Sequence, residues 1–453
     1  MLGNKSVALV ILLALSGGAV AGEGERPKPT GKPMLESETI DDPPGKEAAR
    51  DNLSARSPAV RVVTGPYVSI QVNIDSNGQN VVGDAANEPS IAVNPLNPSN
   101  MVIGWRQFDT VDSNFRQAGW AYTFNKGTTW TFPGVLTPGT FRSDPVIDVD
   151  TAGVFYYLSL TSGGVGSDLF KSFDGGATWS EPLTSFGGDK NWLAVDRTGG
   201  PSNGFVYSIW QQYSACCGPN VLTRSTNGGV DFDFPVPVPG WPMFGTLAVG
   251  PSGTVFAAGI DGTETEDLYH YSFARAKNSP AAGGPVQMLG YPLELGGYMY
   301  YFTGGAPNPI GIVGQVNVTT DQSAGGTRGN VYVLASLYPF NYGGADPQDV
   351  HIVRSVDGGR TFSTPVRVND DALGNWQWLA APAVAPNGRI DAIWYDTRES
   401  HLAGVSRLYY AYSWDAGDTW SANTAVSPPF NSLVGFPDNR KMGDYITLVS
   451  DAT

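Results

Sequence analysis

TFNKGTTW at Thr123–Trp130, SFDGGATW at Ser172–Trp179, STNGGVDF at Ser225–Phe232, SVDGGRTF at Ser355–Phe362 and SWDAGDTW at Ser413–Trp420 are one pattern written five times. All fit Ser/Thr-x-Asp/Asn-x-Gly-x-x-aromatic. A pattern that returns along a chain marks an array of similar units. Each copy follows a short β-rich run such as Leu408–Tyr412. Asp-Gly or Asn-Gly between two strands predicts a hairpin, because the turn needs residues that tolerate positive φ. The Asp or Asn side chain can accept bonds from the N–H groups of its own turn. The closing Trp or Phe is large enough to cover the hairpin and pack on its sheet. Every part of the motif has a structural task, so it reads as a folding staple rather than as a catalytic element.

These segments resemble the Asp-boxes of the sialidase superfamily. That resemblance implies a β-propeller in which each box closes the hairpin between the third and fourth strands of a blade. It implies less about activity, because such propellers include glycan-cleaving enzymes and non-catalytic binders.

A second repeat lies between the boxes and supplies the first two strands of each unit. Its copies are Pro89–Trp105, Pro145–Leu158, Trp192–Trp210, Leu247–Ala258 and Pro382–Trp394, with a diverged copy at Val316–Leu334. Apolar residues alternate along them with the period of a strand. Six openings with five boxes predict an all-β, six-bladed, sialidase-like propeller whose fourth blade has lost its box, Tyr269–Arg275 standing in the expected place. A seventh opening starts at Asp444-Tyr445-Ile446. Either it begins an incomplete seventh blade, or it completes the ring beside Tyr67–Ile74.

The remaining segments bound the chain. Residues 1–21 read as a secretory signal, with Lys5, the apolar run Val7–Leu15 and the small-x-small site Ala19-Val20-Ala21. Residues 22–60 are polar and Pro-rich and read as a disordered leader. The propeller then occupies 61–453, with an insertion at about 276–315. The expected product is secreted, extracellular or periplasmic, and has no membrane span. The 57 Gly, 34 Pro, 20 Tyr and 12 Trp fit many strands joined by tight turns. A net charge of −15 argues against nucleic acid as partner, and any anionic ligand would need a local positive pocket.

Only two cysteines occur, Cys216 and Cys217, and they are adjacent. They would form a vicinal disulfide that stiffens their loop after export, or stay as a pair of thiols. No metal site and no cofactor is expected: zinc ligands are missing, and alternating Asp148 and Asp150 read as solvent-facing rather than as a calcium site.

If the boxes mark one face of the disc, a ligand belongs on the other, where blade-opening segments and mid-blade turns converge around the channel. Those segments mix carboxylates, arginines and aromatics, which suits a glycan: rings stack and hydroxyls take polar hooks. The resemblance to retaining sialidases implies three arginines on a substrate carboxylate, a tyrosine nucleophile helped by a glutamate, and an aspartate acid/base. Here Arg106, Arg142, Arg398 and Arg440 could supply the cluster. Asp144 or Asp189 could be the acid/base, and Tyr445 or Tyr395 the nucleophile, with Glu88 nearby. Lys190, Gln212, Asp396 and Asp444 complete the candidate binding set. The family's Phe/Tyr-Arg-Ile-Pro motif has its nearest counterpart in Phe141-Arg142-Ser143-Asp144-Pro145, in the second blade rather than the first.

The first functional expectation is therefore a sialidase-type glycoside hydrolase. The alternative is a propeller that binds glycan or protein without catalysis. A third reading is a polysaccharide lyase with Tyr395, His401 or Tyr445 as base.

Overall fold

The computed structural model describes residues 8–10, 57–164, 166–213, 215–263, 270–276, 284–299, 307–340, 346–400, 402, 404–435 and 441–450. Six antiparallel sheets, each built around four strands in chain order, follow one another. Blade I is Ala85–Val93, Met101–Phe108, Gln117–Thr123 and Thr131–Leu136. Blade II is Ser143–Val149, Phe155–Leu160, Ser167–Ser172 and Leu183–Ser185. Blade III is Trp192–Val195, Val206–Ile209, Asn220–Ser225 and Val236–Pro237. Blade IV is Met243–Val249, Val255–Ile260, Tyr271–Ala276 and Met288–Leu293. Blade V is Asn317–Thr320, Val331–Pro339, Asp349–Ser355 and Val366–Arg367. Blade VI is Gln377–Val384, Ile390–Asp396, Val405–Ser413 and Thr424–Ala425. The first strands of successive blades pack side by side, which is the order of a propeller. The chain is a six-bladed all-β propeller.

All five boxes join the third strand to the fourth. Their bonding repeats almost unchanged. In the second box Ser172 Oγ donates to Asp174 Oδ1 at 2.9 Å, the Gly176 N–H donates to Ser172 Oγ at 2.8 Å, and the Thr178 N–H donates to Asp174 Oδ1 at 2.9 Å. The box at Ser355 has the same three bonds at 2.8, 2.8 and 3.0 Å. Both glycines of the second box have positive φ, +77° and +94°, as the turn requires.

Trp130 and Trp179 pack on their own sheets, Trp179 edge-on to Tyr157 at 5.7 Å, while two other box aromatics reach across the seams between blades. Phe362 of blade V stands edge-on to Phe273 of blade IV, 4.8 Å between ring centres. Phe232 of blade III packs among Tyr156, Leu158 and Leu169 of blade II. Neighbouring blades also bond the boxes directly. Trp120 Nε1 of blade I donates to Gly176 O at 2.9 Å, Lys171 of blade II to Gly228 O at 3.1 Å, and Arg354 of blade V to Ala416 O at 3.0 Å. A box is thus a joint between blades as well as a turn within one.

Blade IV departs from the expectation in two ways. Tyr271–Ala276 is its third strand, so the stretch standing where a box was expected is strand rather than turn. Its fourth strand, Met288–Leu293, lies inside the stretch at 276–315 that reads as an insertion. Farther along that stretch, Gly297–Tyr298 pairs with the end of blade V's second strand.

Between blades VI and I lies a wedge made from both ends of the domain. Arg61–Thr64 and Tyr67–Ile70 form a hairpin. Ile70 and Val72 pack on Met101, Ile103 and Trp105 of blade I, and Tyr67 meets Tyr410 of blade VI, 6.1 Å between ring centres. The segment 441–450 runs beside them. The Ile91 N–H of blade I donates to Thr447 Oγ1 at 3.1 Å, Ser450 Oγ donates to Asp391 of blade VI at 2.8 Å, and Ile446 joins the cluster of Trp378 and Ile393. Among the described residues, 441–450 form no strand and lie with the N-terminal hairpin between blades VI and I.

Candidate functional site

The inner strands start with a shared backbone device. Glu88, Asp144, Lys190, Phe244 and Leu379 have φ of +54°, +46°, +58°, +48° and +50°, and Gly314 and Gly443 take φ of +142° and +91° at the matching places. In blades I, II, IV and VI the ladder register shifts across this point. Pro89 and Pro145 follow it, where a missing ladder N–H does least harm. Left-handed conformations at non-glycine residues cost about 1–3 kcal/mol each and persist only where the surroundings impose them. Here the device turns a backbone N–H sideways toward another opening. The Lys190 N–H reaches Asp144 Oδ2 at 2.7 Å, the Leu379 N–H reaches Val313 O at 2.7 Å, and the Asp444 N–H reaches Glu88 Oε1 at 2.9 Å.

Most of the candidate catalytic residues meet in one buried ionic network. Glu88, Asp144, Asp189 and Asp444 are 0% exposed, and Arg106, Lys190 and Lys441 1–2%. Arg106 Nε lies 3.0 Å from Glu88 Oε2 and donates to Asn87 Oδ1 at 2.8 Å. Asp444 Oδ2 accepts from Lys190 Nζ at 2.5 Å and from Lys441 Nζ at 3.0 Å. Lys190 Nζ also stands 3.5 Å from Asp189 Oδ1, and the Gln211 amide donates to Asp189 Oδ2. Ser143 Oγ donates to Asp144 Oδ1 at 2.9 Å.

Burial sets the protonation states. It pushes the Glu88 carboxyl up to about 8, Arg106 opposing and the charges of Asp444 and Asp144 adding to it. Burial also resists ionisation of Asp444, but Lys190, Lys441 and Arg106 outweigh it and hold that carboxyl well below the usual range. Tyr445 is pushed far above its ordinary value by burial and then by Glu88 and Asp144. Its hydroxyl donates to Pro145 O at 2.8 Å, and its ring meets Trp192 edge-on at 5.3 Å. A nucleophilic tyrosine would have to break that bond and ionise against two carboxylates.

Among the described residues, each candidate arginine is paired with a different carboxylate. Arg106 is committed to Glu88. Arg142 pairs with Asp168 of its own blade at 2.5 Å and lies over Phe170. Arg398 pairs with Asp396 at 2.8 Å and Asp370 at 2.6 Å and lies over Tyr409, 4.4 Å from the ring centre. Arg440 and His401 lie outside the described residues. Tyr395 is buried between Trp378 and Phe430. Asp396 is buried under Arg398 and the Trp394 indole N–H. Gln212 donates to Gly262 O at 3.4 Å.

Two cations of this region escape a reading by motif. Lys441 completes the grip on Asp444. Arg116, 1% exposed, donates to Ser143 Oγ at 3.1 Å and lies 4.8 Å over the Phe141 ring. Lys441 stands three residues before Asp444, a spacing that could have drawn attention to it.

The described residues hold no group of three or more His, Cys, Asp or Glu side chains able to hold a metal ion. Asp148 instead accepts the Val195 N–H at 2.7 Å and pairs with Arg197 at 2.9 Å, and Asp150 closes its own hairpin. No helix among the described residues is long and apolar enough to cross a membrane.

No family model matches the chain, and no curated protein matches it in sequence. Solved structures do. A protein of unknown function from Dyadobacter fermentans is 15% identical over 79% of this chain and 88% of its own, with a TM-score of 0.39. A Hadza microbial sialidase is 13% identical over 79% of this chain and 62% of its own, with a TM-score of 0.40. A polysaccharide lyase, an ulvan lyase, is 11% identical over 77% of this chain and 86% of its own, with a TM-score of 0.47.

Proposed function

We propose that this chain is a glycan-binding propeller that holds its ligand on the face opposite the boxes and does not cleave it. One observation carries the choice between binding and hydrolysis. Among the described residues, the side chains that a sialidase mechanism would need are already engaged with one another or with the backbone. Arg106, Arg142 and Arg398 serve separate carboxylates, and the Tyr445 hydroxyl serves Pro145 O. The Asp-box resemblance supports the scaffold. The part-exposed Tyr213 and Trp241 and the amide of Gln212 support a sugar ligand at the turns of blades III and IV, since sugars are recognised by flat apolar faces and polar hooks.

The test screens the purified chain against sialylated, uronic-acid and neutral oligosaccharides for binding, and against fluorogenic glycosides for turnover. The expected outcome is saturable binding with no released product. Absence of binding across the panel would remove the glycan reading.

A second reading keeps hydrolysis, and one observation favours it. Burial pushes the Glu88 carboxyl up while Lys190 and Lys441 hold nearby Asp444 down, and a pair of carboxyls pushed apart in this way is what acid/base catalysis uses. Sugar release that disappears in Glu88→Gln would establish that reading. Unsaturated products absorbing in the ultraviolet would establish a lyase instead.

A further inference from the structure

The loop after blade III's second strand, 211–220, holds two parts of the proposed ligand face at once. Toward the axis, the Gln211 N–H donates to Asp189 O at 3.1 Å and its side chain to the Asp189 carboxylate. Ala215 bridges to Gly188, and the Cys216 N–H donates to Gly187 O at 3.1 Å. Toward blade IV, Gln212 reaches Gly262 O, and Tyr213 packs on the cluster of Met243 and Phe244.

Within this loop Cys216 and Cys217 are joined as a disulfide, and both are partly exposed. A cross-link stabilises a fold in proportion to the logarithm of the chain it closes. Neighbouring residues close almost none, so this bond adds little to global stability. Its effect is local. It ties together two residues whose backbone holds the loop down: Cys216 through the Gly187 bond, and Cys217, whose φ is +72° and whose carbonyl accepts the Asn220 N–H at 3.2 Å. Left-handed φ is uncommon for cysteine and is held by its surroundings.

We propose that Cys216–Cys217 is a thiol–disulfide switch that sets how the 211–220 loop bridges Asp189 and blade IV, and thereby shapes the ligand face. The reductant is a dithiol. Its thiolate attacks one cysteine sulfur, the other leaves as a thiolate and takes a proton, and a mixed disulfide forms. The donor's second thiolate then closes its own disulfide and releases the first cysteine, which is protonated in turn. Two electrons and two protons pass from the dithiol to the pair. With the bond open, Cys217 relaxes from its left-handed conformation, and the grips on Gly187 and Asn220 loosen. The ligand half of this inference rests on the glycan reading above; the loop half does not.

The experiment compares the full chain oxidised and after dithiothreitol, with thiols counted by alkylation and mass. Hydrogen exchange is followed at the amides of Gln211, Cys216 and Asn220. The expected result is two new thiols and exchange at these amides faster by about tenfold or more, with the strands of blades I and VI unchanged. The Cys216→Ser/Cys217→Ser double variant should match the reduced form with or without dithiol. Complete reduction with unchanged exchange would overturn the switch, as would a native disulfide that stays closed in excess dithiol. Glycan affinity should differ by about fivefold or more between the two states. Changed exchange with no glycan binding in either state would sink the glycan reading and leave the loop switch standing.

Discussion

The two halves of the axial ring share a backbone and differ in chemistry. Blades I, II and III and the C-terminal segment present Glu88, Asp144, Lys190 and, beside Gly443, Asp444, all bound into one buried ionic network. Blades IV, V and VI present Phe244, Gly314 and Leu379 at the same bend, and the two side chains go into apolar clusters. Geometry alone therefore does not require the charges. The bend is needed to aim N–H groups from one opening to another, and an apolar residue serves as well. Any specific role of the axis belongs to the charged half.

The largest test of this contrast pairs two substitutions. Lys190→Met leaves Asp444 and Asp189 short of a buried partner and should cost about 3–5 kcal/mol in urea denaturation. Leu379→Met conserves volume in the apolar half and should cost less than about 1.5 kcal/mol. Equal losses would mean that both halves are held by packing and that the ionic network is incidental.

A smaller effect is expected at the boxes, far from either half. Asp357→Ala removes the acceptor for the Arg360 and Thr361 N–H groups and should cost about 1–2 kcal/mol by thermal melting. Burial pushes its carboxyl up, but the bonds from Thr361, Ser355 and Arg360 together outweigh it and hold the carboxyl well below the usual range. The stability it adds is present at neutral pH and fades as acid titrates it. A loss as large as that of Lys190→Met would show that a single joint governs the ring.

The smallest effect at acid pH is expected from Glu88→Gln. Glu88 has its folded value raised from 4.5 to about 8, so the fold binds a proton that the unfolded chain gives up. The stability it contributes is complete below about pH 4.5 and is lost as pH rises toward 8. Melting temperatures of the native chain should decline across that window, and those of Glu88→Gln should decline less, the two converging below it. Parallel curves would show that Glu88 is ionised throughout and that Arg106 carries its charge.

Much of the fold was legible because its signals are local. A box is eight residues that satisfy one another, so Ser172, Asp174 and Gly176 announce their turn wherever they stand. The openings were legible because apolar alternation reports a strand buried within a sheet. Blade IV was harder, since without a box nothing nearby marks where its third strand ends.

The site was legible only as a set of loops. Reading the repeats assigned Glu88, Asp144, Lys190 and Asp444 to the same end of the disc. Their partners came from elsewhere: Lys190 and Asp444 are 254 residues apart, and Arg142 finds Asp168 across its own blade rather than a ligand. Spacing brought short-range groups to their turns, because a hydrogen bond across four residues needs only the right dihedral angles. Ring closure decided that Lys190 meets Asp444, whereas Arg106, Arg142 and Arg398 found carboxylates within their own blades. That closure is a long-range event driven by apolar burial between blades, and Lys190 paired with the carboxylate it placed there.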